Sequence, residues 1–156
     1  MLNRLASPAV APEVPVLETV DTSIWGAPLW KILHIAAQVS NSKGVIPLWR
    51  RVFDAMRTGL PCPDCSAHYN AWYKARPLQF SLIPMTGSTR GPIVNWILEL
   101  HNNVNRRTGK PTWTGAQLAG SYGGNQIATA KSLADSLRGV IGGGLSAALD
   151  ALLRSL

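Results

Sequence analysis

Between residues 28 and 104 the apolar positions recur at helical spacing, and no region alternates with period two for long enough to make a strand. From Pro28 to Val39 the stripe is Leu29, Ile32, Leu33, Ala36 and Ala37, with Pro28 suited to a first turn. Asn41 to Gly44 break it. Val45, Leu48, Trp49, Val52, Phe53 and Met56 form a second stripe, ended by Gly59 and Pro61. A third helix is predicted from about Cys62, with Pro63 in its first turn, to Ala75, where Pro77 stops it. Residues 78–91 read as a loop. A fourth helix starts near Pro92 and carries Ile93, Trp96, Ile97, Leu100, His101 and Val104 on one side; Gly109 and Pro111 close it. A short turn of helix follows Thr114. These elements predict an all-α fold, an antiparallel four-helix bundle with a short fifth helix.

The two ends read differently from the centre. Residues 1–22 form a flexible arm, marked by Pro8, Pro12 and Pro15. The arm lacks the continuous apolar stretch of a secretory signal, and Glu13 and Glu18 argue against a transit peptide. Residues 23–120 hold the predicted domain. Residues 121–156 form an amphipathic tail, in which the stripe from Ile127 to Leu156 is interrupted by Gly142, Gly143 and Gly144. It reads as two short helices joined by a flexible glycine hinge. Such a tail suits packing on its own bundle, a partner surface or shallow membrane contact, and the pattern does not choose. No segment spans a membrane, since the uncharged run from Gly139 to Leu149 is short and glycine-rich.

Composition sharpens this picture in two ways. The length suits one small domain, and all six tryptophans lie between positions 25 and 113, which places the folded unit there. The net charge is +7, and much of the excess is central, at Arg50, Arg51, Arg57, Lys74, Arg76, Arg90, Arg106, Arg107 and Lys110. A basic surface attracts phosphate on nucleic acid, lipid or a dinucleotide, though a solvated face accounts for most of these residues. No RNA-binding signature or zinc-finger spacing supports nucleic acid.

The chemistry concentrates in PCPDCSAHYNAW, which holds the only two cysteines, Cys62 and Cys65. Zinc would need four ligands, and Cys62, Cys65 and His68 supply three, with His101 or His34 as the fourth. That reading makes the chain a zinc-stabilised helical binding module with a basic face for nucleic acid. A structural staple is weak, because so short a loop restricts the unfolded chain little. Redox chemistry suits the placement best. A Cys-x-x-Cys at a helix start puts its first sulfur at the positive end of the dipole and favours the Cys62 thiolate, while Cys65 sits one turn further in. No strand leads into the pair, so a thioredoxin frame is excluded. Further on, His101 and Asn105 share a helical face beside Asn102, and Arg106, Arg107 and Lys110 follow. With Trp96 or Trp113 nearby, this mixture suits a flat heterocycle carrying a pyrophosphate.

Three ordered motifs, WGAPLW-x-x-LH-x-x-A, CPDC-x-x-H and LHNNVN-x-x-x-GKP, resemble the Erv/ALR family of FAD-linked sulfhydryl oxidases over about Trp25 to Trp113. The resemblance implies a helical bundle that holds FAD, forms disulfides in a thiol-containing protein substrate or redox relay partner, passes electrons to molecular oxygen and yields hydrogen peroxide. It implies a homodimer. It makes Cys62 and Cys65 the catalytic pair, with Cys65 against the isoalloxazine and Cys62 as the interchange sulfur. Cofactor contacts are expected from Gly26, Trp30, His34, Cys65, His68, His101, Asn102, Val104, Asn105, Lys110 and Trp113. Gln38 stands where cellular members often carry tyrosine. The late tryptophan after GKP has no clear counterpart, with Tyr122 as its candidate replacement. The chain has no second cysteine pair for a shuttle and is similar to the minimal oxidases of large DNA viruses. One pair fits a viral relay in host cytosol, an intermembrane space or an endoplasmic reticulum lumen.

Overall fold

The computed structural model describes residues 18–79, 83 and 89–156, and all its regular structure is helical, as the periodicity predicts. The helices are α1 (Thr22–Gln38), α2 (Ile46–Gly59), α3 (Pro63–Ala75), α4 (Arg90–Thr108), α5 (Gly115–Tyr122), α6 (Ile127–Ser136) and α7 (Gly143–Arg154), with a 3-10 turn over Lys43–Val45 before α2. Most of the expected arm and most of the expected loop at 78–91 lie outside the described residues.

The first helix departs from expectation. It starts at Thr22, so Pro28 lies inside it rather than in its first turn. The Asp21 carboxylate accepts the Ser23 N–H at 2.9 Å and caps the earlier start. Trp25 and Leu29 are both buried, and their burial outweighs the backbone hydrogen bond that the proline removes. The Trp25 Nε1–H donates to the Val20 carbonyl at 3.1 Å and anchors the chain just before the helix.

Aromatic side chains bind the helices together, and most of their buried polar atoms are partnered within the core, the Trp72 Nε1–H being the exception among the described residues. Phe53 of α2 packs on Trp96 of α4 with ring centroids 4.4 Å apart. The Tyr69 hydroxyl donates to the Phe53 carbonyl at 2.6 Å, fixing α3 on α2. The Trp96 Nε1–H donates to the Arg76 carbonyl at 2.8 Å, tying α4 to the end of α3. The fully buried Ser40 is a junction. Its hydroxyl takes the Trp49 Nε1–H at 2.8 Å and donates to the Ala36 carbonyl, while the Thr89 hydroxyl donates to the Ser40 carbonyl at 2.7 Å. Each bond spares a buried donor or acceptor the cost of desolvation without a partner.

The C-terminal helices complete the core. α6 packs along α1 and α7 along α2. Their apolar faces are inward, with Leu137, Leu145, Leu149, Leu152 and Leu153 all buried. The three glycines are not a hinge. Gly142 is the N-cap of α7, and Gly143 and Gly144 form its first turn. The Gly142 N–H donates to the Gly59 carbonyl at 2.8 Å. A Cβ on Gly59 would lie 2.6 Å from the Leu145 Cβ, so only glycine permits this approach of α2 and α7. Among the described residues, Ile24 is the one large apolar side chain left exposed, and no helix is long and apolar enough to cross a membrane.

Candidate active site

Cys62 is the N-cap of α3, and extended φ and ψ (−160°, 110°) turn the chain into the helix. Pro63 follows at N1, where its missing N–H costs nothing. The Cys62 Sγ accepts the Cys65 N–H at 3.2 Å, so a sulfur takes the place of the usual capping oxygen. Cys62 and Cys65 are joined as a disulfide with Cα atoms 5.2 Å apart. At this position the positive end of the α3 dipole stabilises a Cys62 thiolate when the bond opens. Both cysteines are partly exposed. Only Cys65 lines the large cavity beside them, and Cys62 lies outside it.

That cavity has a volume of about 660 Å³ and is walled by α1, α3 and α4, with the end of α2 and the turn after α4. Met56, Leu60, Cys65 and Tyr69 form the corner made by α2 and α3. Gly26 and Trp30 come from α1, His101, Val104 and Asn105 from α4, and Tyr122 from the end of α5. After α4, Gly109 takes the left-handed conformation (φ 72°), which glycine adopts without strain, and the Lys110 N–H returns to the Asn105 carbonyl at 2.8 Å. This turn brings Lys110 and Trp113 to the cavity beside Arg107.

Of the residues expected at a cofactor, Gly26, Trp30, Cys65, His68, His101, Val104, Asn105, Lys110 and Trp113 line this one space. His34 and Asn102 stand behind it. The Asn102 amide donates to the Trp113 carbonyl and accepts the Trp113 N–H, both at 2.8 Å, so it holds the backbone of a wall residue. His34 is buried and meets His101, Nε2 to Nδ1, at 2.8 Å. One of these nitrogens donates and the other accepts, so the accepting ring is neutral. Trp30 stacks on His101 with centroids 4.1 Å apart and planes 4° apart. Tyr122 stacks on His34 at 5.2 Å and on Trp113 at 6.0 Å. Tyr122, the candidate replacement named after GKP, lines the cavity. The lining from Thr22 and Ser23 was not foreseen, because the first helix was expected to begin at Pro28 and the Asp21 cap starts it at Thr22.

Burial, with His101 second, pushes His34 down to about 3, and burial with the nearby Lys110 pushes His101 down to about 4. In the unfolded chain both titrate near the ordinary value of 6.5. Below 6.5 the unfolded state therefore binds more protons than the folded one, so stability is full above that pH and is lost as pH falls towards the folded values. With no ligand added, the melting temperature is expected to drop between pH 6.5 and 4. The drop should shrink in His34→Asn, measured by circular dichroism across that range; an unchanged drop would show that the pair does not contribute.

The zinc reading loses its ligands in this arrangement. Cys62 and Cys65 are bonded to each other, His34 is bonded to His101, and among the described residues no group of three or more metal-ligating side chains converges. A reducible disulfide at the wall of an aromatic and basic cavity remains. The profile of the Erv1 / Alr family matches residues 27–122, more than half of the chain. The chain belongs to the Erv1 / Alr family. A putative FAD-linked sulfhydryl oxidase of Invertebrate iridescent virus 6 is 26% identical over 95 residues, covering 59% of this chain and 86% of that protein. A FAD-linked sulfhydryl oxidase of African swine fever virus is 27% identical over 92 residues, covering 55% of this chain and 69% of that protein. No solved structure matches. The family match takes in α2, α3, α4, α5 and most of α1, and α6 and α7 lie beyond it.

Proposed function

We propose that this Erv1 / Alr family member is a FAD-dependent sulfhydryl oxidase that makes disulfide bonds in protein thiols. The observation that carries the reading is the Cys62–Cys65 disulfide with Cys65 alone opening into the aromatic cavity. The residues fit FAD. The volume lies within the usual range for a cofactor site. Neutral imidazoles and the stacked faces of Trp30 and His101 suit a planar ring system, and Arg107 and Lys110 suit a pyrophosphate. The ring-facing role falls to Cys65, and the contacts proposed for the nucleotide are Gly26, Trp30, His68, His101, Val104, Asn105, Lys110 and Trp113, with His34 and Asn102 holding His101 and Trp113 in place.

In this reading a substrate thiolate attacks the Cys62 sulfur, which lies outside the cavity. The Cys62–Cys65 bond breaks, and Cys65 leaves as a thiolate. A second substrate thiolate then attacks the substrate sulfur of the mixed disulfide, releasing oxidised substrate and the Cys62 thiolate. The α3 dipole stabilises that thiolate as it departs. Bound in the cavity, FAD would supply the two-electron acceptor for re-forming the Cys62–Cys65 bond, with dioxygen as the final oxidant and hydrogen peroxide as its product. The balance is two thiols and one dioxygen to one disulfide and one peroxide. The partners proposed are a protein dithiol or a relay protein, and a second copy of the chain. That copy has to use a face other than those of α1 and α2 that α6 and α7 cover.

The protein purified from cells supplied with riboflavin is expected to be yellow and to release peroxide when given dithiothreitol. Folded protein that carries no flavin and takes none up would overturn the reading.

A further inference from the structure

The start of α7 meets the chain three residues before the first cysteine. From Gly59 to Cys62 each of four successive carbonyls has a donor. The Gly59 carbonyl takes the Gly142 N–H at 2.8 Å, Leu60 the Cys62 N–H at 2.8 Å, Pro61 the Val20 N–H at 2.9 Å, and Cys62 the Ser66 N–H at 3.0 Å. Gly59, Leu60 and Pro61 are buried, and Leu60 is itself a wall of the cavity. Leu145 presses on Gly59 from α7, where even a methyl group has no room. The link that delivers Cys62 is therefore held on one side by Val20 and on the other by α7. Both contacts come from outside the segment shared with the Erv1 / Alr family.

We propose that α7 is a positioning element for the active disulfide, with Gly142 and Leu145 as the residues that fix where Cys62 stands relative to Cys65 and the cavity wall. This rests on the reading of Cys62–Cys65 as the active pair. The physical argument concerns the reduced state. Two thiols re-form a bond readily only if the backbone keeps them close, and a held link keeps their effective concentration high. Loosening it leaves the cysteines chemically unchanged but makes the pair easier to reduce.

The test compares Leu145→Ala with Leu152→Ala. Both leucines are buried on α7, at 1% and 0% exposure. They lie about 10 Å apart along the helix. Both variants lose core packing, so melting temperatures report the shared structural cost. The discriminating measurement is the equilibrium of Cys62–Cys65 with a glutathione buffer in protein prepared without flavin. A second readout is the anaerobic rate at which dithiothreitol bleaches bound FAD. For Leu145→Ala the disulfide is expected to become about tenfold easier to reduce, roughly 30 mV, and the bleaching rate to fall. Leu152→Ala is expected to change the equilibrium less than about twofold. Equal shifts in the two variants, or none in either, would overturn the proposal and leave α7 as packing alone. Should Leu145→Ala fail to fold, Gly142→Pro serves instead. The residue has φ −56° and ψ 142°, which proline adopts, so the change removes the N–H to Gly59 and is expected to give the same shift. Because the glutathione measurement needs no flavin, failure of the oxidase reading leaves it interpretable.

Discussion

Cys65→Ser abolishes turnover and leaves FAD in place. That is the expected result, with a loss on the order of 10³-fold or more, as follows when a residue that makes and breaks bonds in every cycle is removed. The fold has little reason to respond. The Cys62 sulfur still caps α3 through the Cys65 position's N–H, and serine is smaller than cysteine in a half-buried wall. Cofactor retention should follow from the rest of the cavity, where the Trp30–His101 stack and the His34–His101 bond are untouched. The remaining Cys62 keeps its place at the helix N-terminus and should exchange with an added disulfide such as oxidised glutathione, its thiolate attacking one sulfur and releasing the other as a thiolate, to leave a stable mixed disulfide. Oxygen consumption with dithiothreitol, read beside the visible spectrum of the same sample, decides the matter. Oxidation at the wild-type rate would show that Cys65 is not in the electron path.

The second large effect comes from ending the chain at Gly124. The family match stops at residue 122, which makes the remainder look dispensable. The packing says otherwise. α6, α7 and the turn between them contribute Ile127, Leu137, Ile141, Leu145, Leu149, Leu152 and Leu153 to the buried core. Burying each of these is worth about 1.5–3 kcal/mol, while a whole domain is stable by only about 5–15 kcal/mol. Removing them also opens the faces of α1 and α2 to water. The truncated chain is therefore expected to lose its cooperative melt as a monomer and to bind a hydrophobic dye. Thermal circular dichroism with light scattering tests this. A monomer that melts within a few degrees of the full chain would show that α6 and α7 only decorate a self-sufficient bundle.

Much of this was legible in the residues, and the failures have physical causes. The boundaries of α3 followed from Pro63 and Pro77 because proline acts locally, through its own φ and missing N–H. The same residue misled at Pro28, where a capping aspartate seven residues earlier and two buried side chains override the local preference. The glycines at 142–144 suggested freedom. They begin α7 instead, and the glycine that provides room is Gly59 on α2, where Leu145, distant in sequence, leaves no space for a Cβ. Motif order located His34, Cys65 and His101 at one site, yet could not say that His34 and Asn102 act from behind the wall. That distinction depends on helix rotation, which spacing alone does not give. Tyr122 was named only as a candidate replacement, and its stacking on His34 depends on how α5 docks.

The two sulfurs of the disulfide belong to different sides of a wall. In the proposed mechanism a client protein needs to touch only the outer one, so the dimensions of the chamber place no ceiling on the size of the client. On the proposed reading the chamber chooses the cofactor, and the surface around Cys62 chooses the clientele. Bulky, already folded proteins can then be served as well as a small reductant, and selectivity can change through exterior residues alone while the inner machinery stays as it is.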